Sequence, residues 1–418
     1  MRLFTAFFIL CGYVAGGENW PEFRGPTGQG YSDSTGLPLK WSESENIVWK
    51  TAVHGKGWST PVVWGDQVWL TTATEDGTEM YVLCIDSNTG KIVRDINIFH
   101  NDTVEPLGND LNGYASPSAV IEEGRVYVHF GSYGTACLDT KTGQTLWQRR
   151  DLPCRHYRGP GSSPVLYKDL LILTMDGVDV QYLAGLDKRT GKTVWKTDRT
   201  TKWTDWGPDG KPQAEGDFRK AYSTPLIVEV DGKPVMVTPG SKAGYAYDPR
   251  DGRELWHITY EGFSNASRTL YGQGLFFIGG AHKAGLVAVR PGGTGDVTES
   301  HIAWKYPKTI VFKPSPVLVG DLIFMVDDGG IATCLEAKTG IEVWKQRLGG
   351  KFSASPVYAE GRIYFPNEEG KTVVIAPGRE YRVLAENKLD DGFMASPAVA
   401  GKAMFLRTKT HLYRVEQK

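Results

Sequence analysis

One ten-residue pattern recurs along this chain and limits what the chain can fold into. Leu138–Trp147 reads Leu-Asp-Thr-Lys-Thr-Gly-Gln-Thr-Leu-Trp, and Leu186–Trp195 reads Leu-Asp-Lys-Arg-Thr-Gly-Lys-Thr-Val-Trp. Tyr247–Trp256 and Leu335–Trp344 repeat it with Asp-Pro-Arg-Asp-Gly and Glu-Ala-Lys-Thr-Gly at their centres. Ile85–Arg94 is a weaker copy, with Arg94 in place of the Trp. An Asp that opens a loop accepts hydrogen bonds from amides two residues on. A Gly that closes it supplies the positive φ of a hairpin with a G1 bulge. The pattern is therefore a hairpin turn, and the Trp on its second strand suits packing between sheets. Asp86-Ser-Asn-Thr-Gly90 resembles the start of an EF-hand loop, but neither the closing Glu nor flanking helices follow. A fixed-register turn of this kind marks a repeat architecture.

A second signal precedes each turn: a small residue, Ser or Thr, then Pro, leading into an apolar strand. Copies are Ser59-Thr60-Pro61, Ala115-Ser116-Pro117, Ser162-Ser163-Pro164, Ser223-Thr224-Pro225, Pro314-Ser315-Pro316, Ala354-Ser355-Pro356 and Ala395-Ser396-Pro397. Ser267-Arg268-Thr269 is a degenerate copy. Pro is tolerated at the first position of a strand, where its missing N–H falls outside the ladder. Each unit then reads as a four-stranded antiparallel meander of roughly 40 to 60 residues, the signature of a propeller blade. Seven complete units run from Trp58 to about Asn387. The C-terminal remainder supplies three strands, and Asn46–Val53, with Trp49, supplies the fourth. The prediction is an all-β, eight-bladed β-propeller over 18–418, whose last blade is closed by the N-terminal strand, leaving no open sheet edge around the ring.

The repeats, with Trp20-Pro-Glu-Phe-Arg-Gly-Pro26 ahead of them, resemble the pyrroloquinoline-quinone-like (PQQ-like) propeller superfamily, and within it the BamB-like secreted bacterial proteins. The resemblance covers nearly the whole chain. It implies either a binding or scaffold propeller or a quinoprotein oxidoreductase of alcohols or sugars. The family's dehydrogenases cap the quinone with adjacent cysteines and hold calcium with Glu, Asn and Asp. This sequence has no adjacent Cys pair and no Cys-x-x-Cys-His haem motif. The expectation is therefore no cofactor, with PQQ and calcium as the alternative.

Other features bound the setting. Arg2, the apolar run Leu3–Leu10 and Ala15-Gly16-Gly17 have a signal-peptide layout over 1–17. Bulky Leu10 before Cys11 departs from the lipobox of a lipid-anchored protein. The expectation is an exported protein, periplasmic or extracellular, with no transmembrane segment and acting as a monomer. A net charge of −1 gives no electrostatic case for nucleic acid. Cys84, Cys137 and Cys334 share one repeat position and read as buried thiols.

Function is expected on the face opposite the turns, where the connections between blades are unequal. Three are long: 99–113, 151–161 and 200–220. Long loops on a rigid scaffold concentrate binding residues. The candidates are His54, His100, Asn112, Tyr114, Arg155, His156, Arg158, Trp203, Trp206, Asp217, Arg219 and Lys220. The arginines offer planar forks for carboxylate or phosphate. The tryptophans offer flat faces for a ring, a sugar or a peptide. The histidines are read as titrating or hydrogen-bonding groups rather than metal ligands, because their spacing is non-local. The expected partner is an envelope protein, a small molecule or a sugar.

Overall fold

The computed structural model describes residues 19–281, 284–308 and 311–418; the expected signal peptide and Cys11 lie outside them. Eight antiparallel sheets, each built on four strands, form the ring. The first blade comprises Val62–Trp64, Gln67–Ala73, Glu79–Asp86 and Ile92–His100. The eighth pairs Ile47–Ala52 with His411–Glu416, outside Ala403–Arg407 and Ala398–Ala400. The two ends of the chain thus share one sheet, as the count of units requires.

The turn pattern works as a fastener between blades. Asp86 Oδ1 accepts the amides of Asn88 (3.1 Å) and Thr89 (2.7 Å) and the Thr89 hydroxyl (2.8 Å). Asp139 and Asp187 do the same in their own turns. These donors hold the carboxylate charged and lower the pKa of Asp86, Asp139 and Asp187 from the usual carboxylate value. Where a blade carries the Trp, it lies on the next blade's turn, as at Trp49 and Trp147. Trp49 Nε1 donates to Ser87 O (2.8 Å), and Trp147 Nε1 to Lys188 O (2.9 Å). The Trp49 ring fills the space a Cβ on Gly90 would need, at 2.7 Å, and Trp147 does so at Gly191, at 2.6 Å. The turn Gly is thus required twice, by φ near +71° and by the neighbouring indole. Where the first blade carries Arg94 in place of Trp, the arginine stem covers Gly143 at 2.8 Å and its guanidinium donates to Lys141 O. The weaker copy keeps the contact with a different side chain.

The fifth blade departs from the pattern. Its last strand, Ile302–Tyr306, follows a connection that contains the helix Thr298–His301. In the same connection Gly295–Asp296 adds to the outer strand of the fourth blade. Trp304 still donates to Ala337 O (3.1 Å), so the fastener survives a changed turn.

One element was not anticipated. Residues 20–32 cross the axis at the end of the ring where the innermost strands finish. Trp20 bridges to Val63, Ile121 N donates to Pro21 O, and Tyr31–Ser32 pairs in parallel with Tyr358–Ala359. Arg24 is buried at the centre and donates to Gln29 O (2.7 Å), Pro316 O (2.6 Å), Ser315 O and Pro356 O (both 3.3 Å). Arg268 reaches the same plug from the wall, donating to Phe23 O, Pro225 O and Glu22. The run Trp20–Pro26 thus has a structural task in this chain: it is a floor.

Candidate functional site

The plug leaves a cavity of about 400 Å³ above it, on the axis and open toward the loop face. Its lower wall is a ring of hydroxyls at the start of the innermost strands. Thr60 N donates to Ser118 Oγ (2.8 Å), Ser118 N to Ser163 Oγ (2.9 Å) and Ser163 N to Thr224 Oγ1 (3.0 Å). Beyond the fifth blade, Arg268 N donates to Ser315 Oγ, Ser315 N to Ser355 Oγ and Ser355 N to Ser396 Oγ, each at 2.9 Å. Each hydroxyl therefore joins its blade to the one before. The second blade corrects the expected alignment: Ser118, and not Ser116 of Ala115-Ser116-Pro117, holds the ring position. The degenerate fifth copy places Arg268 in the ring, and its guanidinium turns down into the plug.

An extended chain repeats its direction every second residue. The residues two before the ring positions accordingly form an upper ring on the same cavity. It has four large members, Trp58, Tyr222, Lys313 and Met394. Four small members, Ser116, Gly161, Ala266 and Ser353, stand between them. None of the eight was a candidate from loop length, yet their signal was present, two residues upstream of each Ser or Thr.

Of the twelve expected residues, Asn112, Arg158 and Asp217 reach this cavity. Arg158 grips Asp217 through both arms of its fork (2.8 and 2.7 Å), tying loop 151–161 to loop 200–220. Asn112 Nδ2 donates to Arg158 O (2.9 Å) and Pro160 O (3.0 Å), which brings in loop 99–113. Lys220 stands behind this wall. It is fully buried, and its Nζ donates to Tyr222 Oη (2.5 Å). Among the described residues it makes no ion pair, and burial lowers its pKa to about 7.

The others serve the loops. Exposed Arg155 pairs with half-buried Glu105, and Tyr114 Oη donates to Glu105 O (2.9 Å). Arg219 is buried on Asp205 and lies 4.2 Å from the Trp206 ring centre and 5.3 Å from that of Trp203. The two indoles therefore stack on a cation and are not both open to a ligand. The histidines do not converge. His54 bonds Asp95 (3.0 Å), and His100 bonds Glu79 (2.6 Å) and Asp102 (3.3 Å). His156 is buried, and its Nε2 accepts the Ser132 amide (3.0 Å). That places its proton on Nδ1, 3.8 Å from the Cys154 sulfur. Burial, with Lys220 and His129 nearby, lowers its pKa to about 3.

The opposite wall carries a second neutralised cation. Lys313 Nζ lies 3.0 Å from Glu368 and 3.3 Å from Asp328, and Ser353 Oγ donates to Glu368 (2.5 Å). Burial raises the Asp328 carboxyl, whereas the Ser353 and Lys313 contacts outweigh burial at Glu368 and lower it.

The family model described as outer membrane protein assembly factor BamB matches residues 33–152 and 245–377, more than half of the chain. This chain is a member of the BamB family. No curated protein matches it in sequence. Solved structures share the family fold. BamB from Moraxella catarrhalis is 12% identical with a TM-score of 0.59, covering 88% of this chain and 99% of that one. The quinohemoprotein alcohol dehydrogenase from Comamonas testosteroni is 13% identical with a TM-score of 0.66, covering 97% of this chain and 82% of that one. A computationally designed protein, Ika8, is 11% identical with a TM-score of 0.59, over 88% and 99%. At this identity the likeness establishes the fold, and activity has to be argued from the site.

The alternative implied by the sequence resemblance, pyrroloquinoline quinone with calcium, can be tested against the residues of this BamB-family cavity. The residues present do not fit it. Arg158 is paired with Asp217, and Lys313 with Glu368 and Asp328, so the carboxylates of a quinone would have to displace these pairs. Among the described residues no three or more His, Cys, Asp or Glu side chains are grouped so as to hold a metal ion such as calcium. Cys154, at 3.8 Å from His156, has no neighbouring cysteine, and burial pushes its thiol well above the usual range.

Proposed function

We propose that this protein is an exported binding or scaffold propeller whose ligand or partner engages the face built by loops 99–113, 151–161 and 200–220. The observation that carries this reading is the cavity with a floor: Phe23 of the plug closes it below, and Asn112, Arg158 and Asp217, one from each long loop, meet at its wall. A floored, mostly apolar cleft with a few fixed polar groups has the form of a ligand site. The same groups are engaged with one another and leave no activated nucleophile, which supports binding over catalysis. No helix of the described residues is long and apolar enough to cross a membrane, which is compatible with export.

The test is capture from an envelope extract with three forms of the protein: wild type, a variant with 200–220 replaced by a short Gly-Ser linker, and Thr142→Ala on the opposite face. The reading expects what wild type captures to be lost with the loop variant and retained with Thr142→Ala. The reverse pattern would place function on the turn face.

A further inference from the structure

We infer that the axial cavity receives the terminal unit of a neutral carbohydrate; this deepens the binding reading and rests on it. Four observations converge. First, the hydroxyls of Ser118, Ser163, Thr224, Ser355 and Ser396 each accept a backbone N–H, and among the described residues none of their own hydrogens has an acceptor. The lower wall is thus a circle of neutral donors pointed at one axis. A purely apolar ligand would leave these groups desolvated and unpaired, at a cost of about 1–3 kcal/mol each.

Second, the charged groups that line the cavity are already paired, Arg158 with Asp217 and Lys313 with Glu368 and Asp328 behind it. A ligand carboxylate or phosphate would meet Arg158 and Lys313 already paired, and a ligand cation would meet Asp217 already paired. Neither sign gains, while the lone pairs left on the paired carboxylates accept O–H donors from a polyol. Third, the large members of the upper ring include the flat faces of Trp58 and Tyr222. Such faces suit the C–H face of a sugar ring, leaving its hydroxyls at the edge. Fourth, the floor at Phe23 admits a ligand from one side alone, so a chain end enters and a chain interior does not.

Full-length protein is titrated, with ligand-observed NMR and calorimetry, against the methyl glycosides of glucose, galactose, mannose and xylose. Glucuronate is the anionic control and toluene the apolar one. At least one glycoside is expected to bind at millimolar concentration or tighter, and about tenfold more tightly than glucuronate. Ala266→Phe, which fills the cavity without removing a hydrogen bond, is expected to abolish binding with the melting temperature kept. Met394→Trp serves if that variant fails to fold. No glycoside bound, glucuronate or toluene preferred, or binding that survives a folded filled-cavity variant overturns the inference. If glycosides fail while the 200–220 replacement still loses the captured partner, this inference alone falls. If both fail, the binding reading falls with it.

Discussion

Gly161 and Tyr222 share one volume: a Cβ on Gly161 would stand 2.8 Å from Cδ1 of the Tyr222 ring and 2.9 Å from its Cβ. The two are neighbours in the upper ring, from the third and fourth blades. Gly161 is thus the small partner that lets a large one lie flat against the wall. Gly161→Ala should destabilise the fold by about 1–3 kcal/mol through overpacking. It should also turn the ring toward the axis. Denaturant unfolding reads the first effect, and Tyr222→Ala in the same background should recover part of it.

Arg158 and Asp217 join two loops that approach from different blades. Their bidentate pair is partly shielded, with side chains 30% and 15% exposed. A double-mutant cycle with Arg158→Ala and Asp217→Ala should give a coupling of about 1 kcal/mol. Added salt should reduce it. A coupling near zero would mean that backbone contacts such as Asn112 to Arg158 O hold the loops without the ion pair.

Ring closure depends on Trp49, which covers Gly90 and donates to Ser87 O across the joint between the last and first blades. Trp49→Ala should cost about 3–5 kcal/mol, the range for truncating a buried aromatic side chain. Removing 41–53 should broaden or lower the melt of the whole ring. An unchanged cooperative transition would show that the eighth blade is dispensable.

The buried bases make stability depend on pH in two windows. His156 and His129 have pKa values lowered by burial to about 3 and about 4. Above the unfolded value near 6.5 all forms are neutral. As pH falls below it, the unfolded chain takes protons that the folded chain refuses, so stability is lost down to pH 3. The slope should approach about 1.4 kcal/mol per pH unit per histidine. His156→Gln should flatten one share of it. Lys220, lowered to about 7, acts in a higher window: stability is lost as pH falls from about 10.5 to 7. Lys220→Met should remove that slope, as urea midpoints across the range would report.

Quinone binding gives a direct check on the charge balance. Pyrroloquinoline quinone added with calcium should leave the melting temperature and the quinone absorbance unchanged. Asp217→Ala, which frees Arg158, should be the variant that gains weak binding. Saturable binding to wild type would revive the oxidoreductase reading.

The blade count, the order of strands and the closing strand were legible because the turn needs particular residues. An acidic residue at its start lets the turn satisfy its own groups, and a Gly at its end leaves room for the next indole. The site was less legible. Loop length led to Arg158, Asp217 and Asn112, but also to Trp206, His54 and His100, which do not line the cavity and bond Trp203 O, Asp95 and Glu79 instead. Trp58, Lys313 and Met394 sit on short connections, so loop length passed over them. Period two along an inner strand would have found them from Thr60, Ser315 and Ser396. The plug was invisible for another reason. Its partners are main-chain carbonyls from distant blades, which leave no mark in a sequence.

That plug has a consequence for when the cavity comes to exist. Arg24 bonds to Ser315 and Pro356, which lie 291 and 332 residues away along the chain. Contacts this remote form late, because the intervening loop must close first. During synthesis, the floor cannot be laid until the sixth and seventh blades have emerged. A ligand that rests on Phe23 is therefore recognised only by a finished molecule. Binding in the cavity would report that every blade is in place.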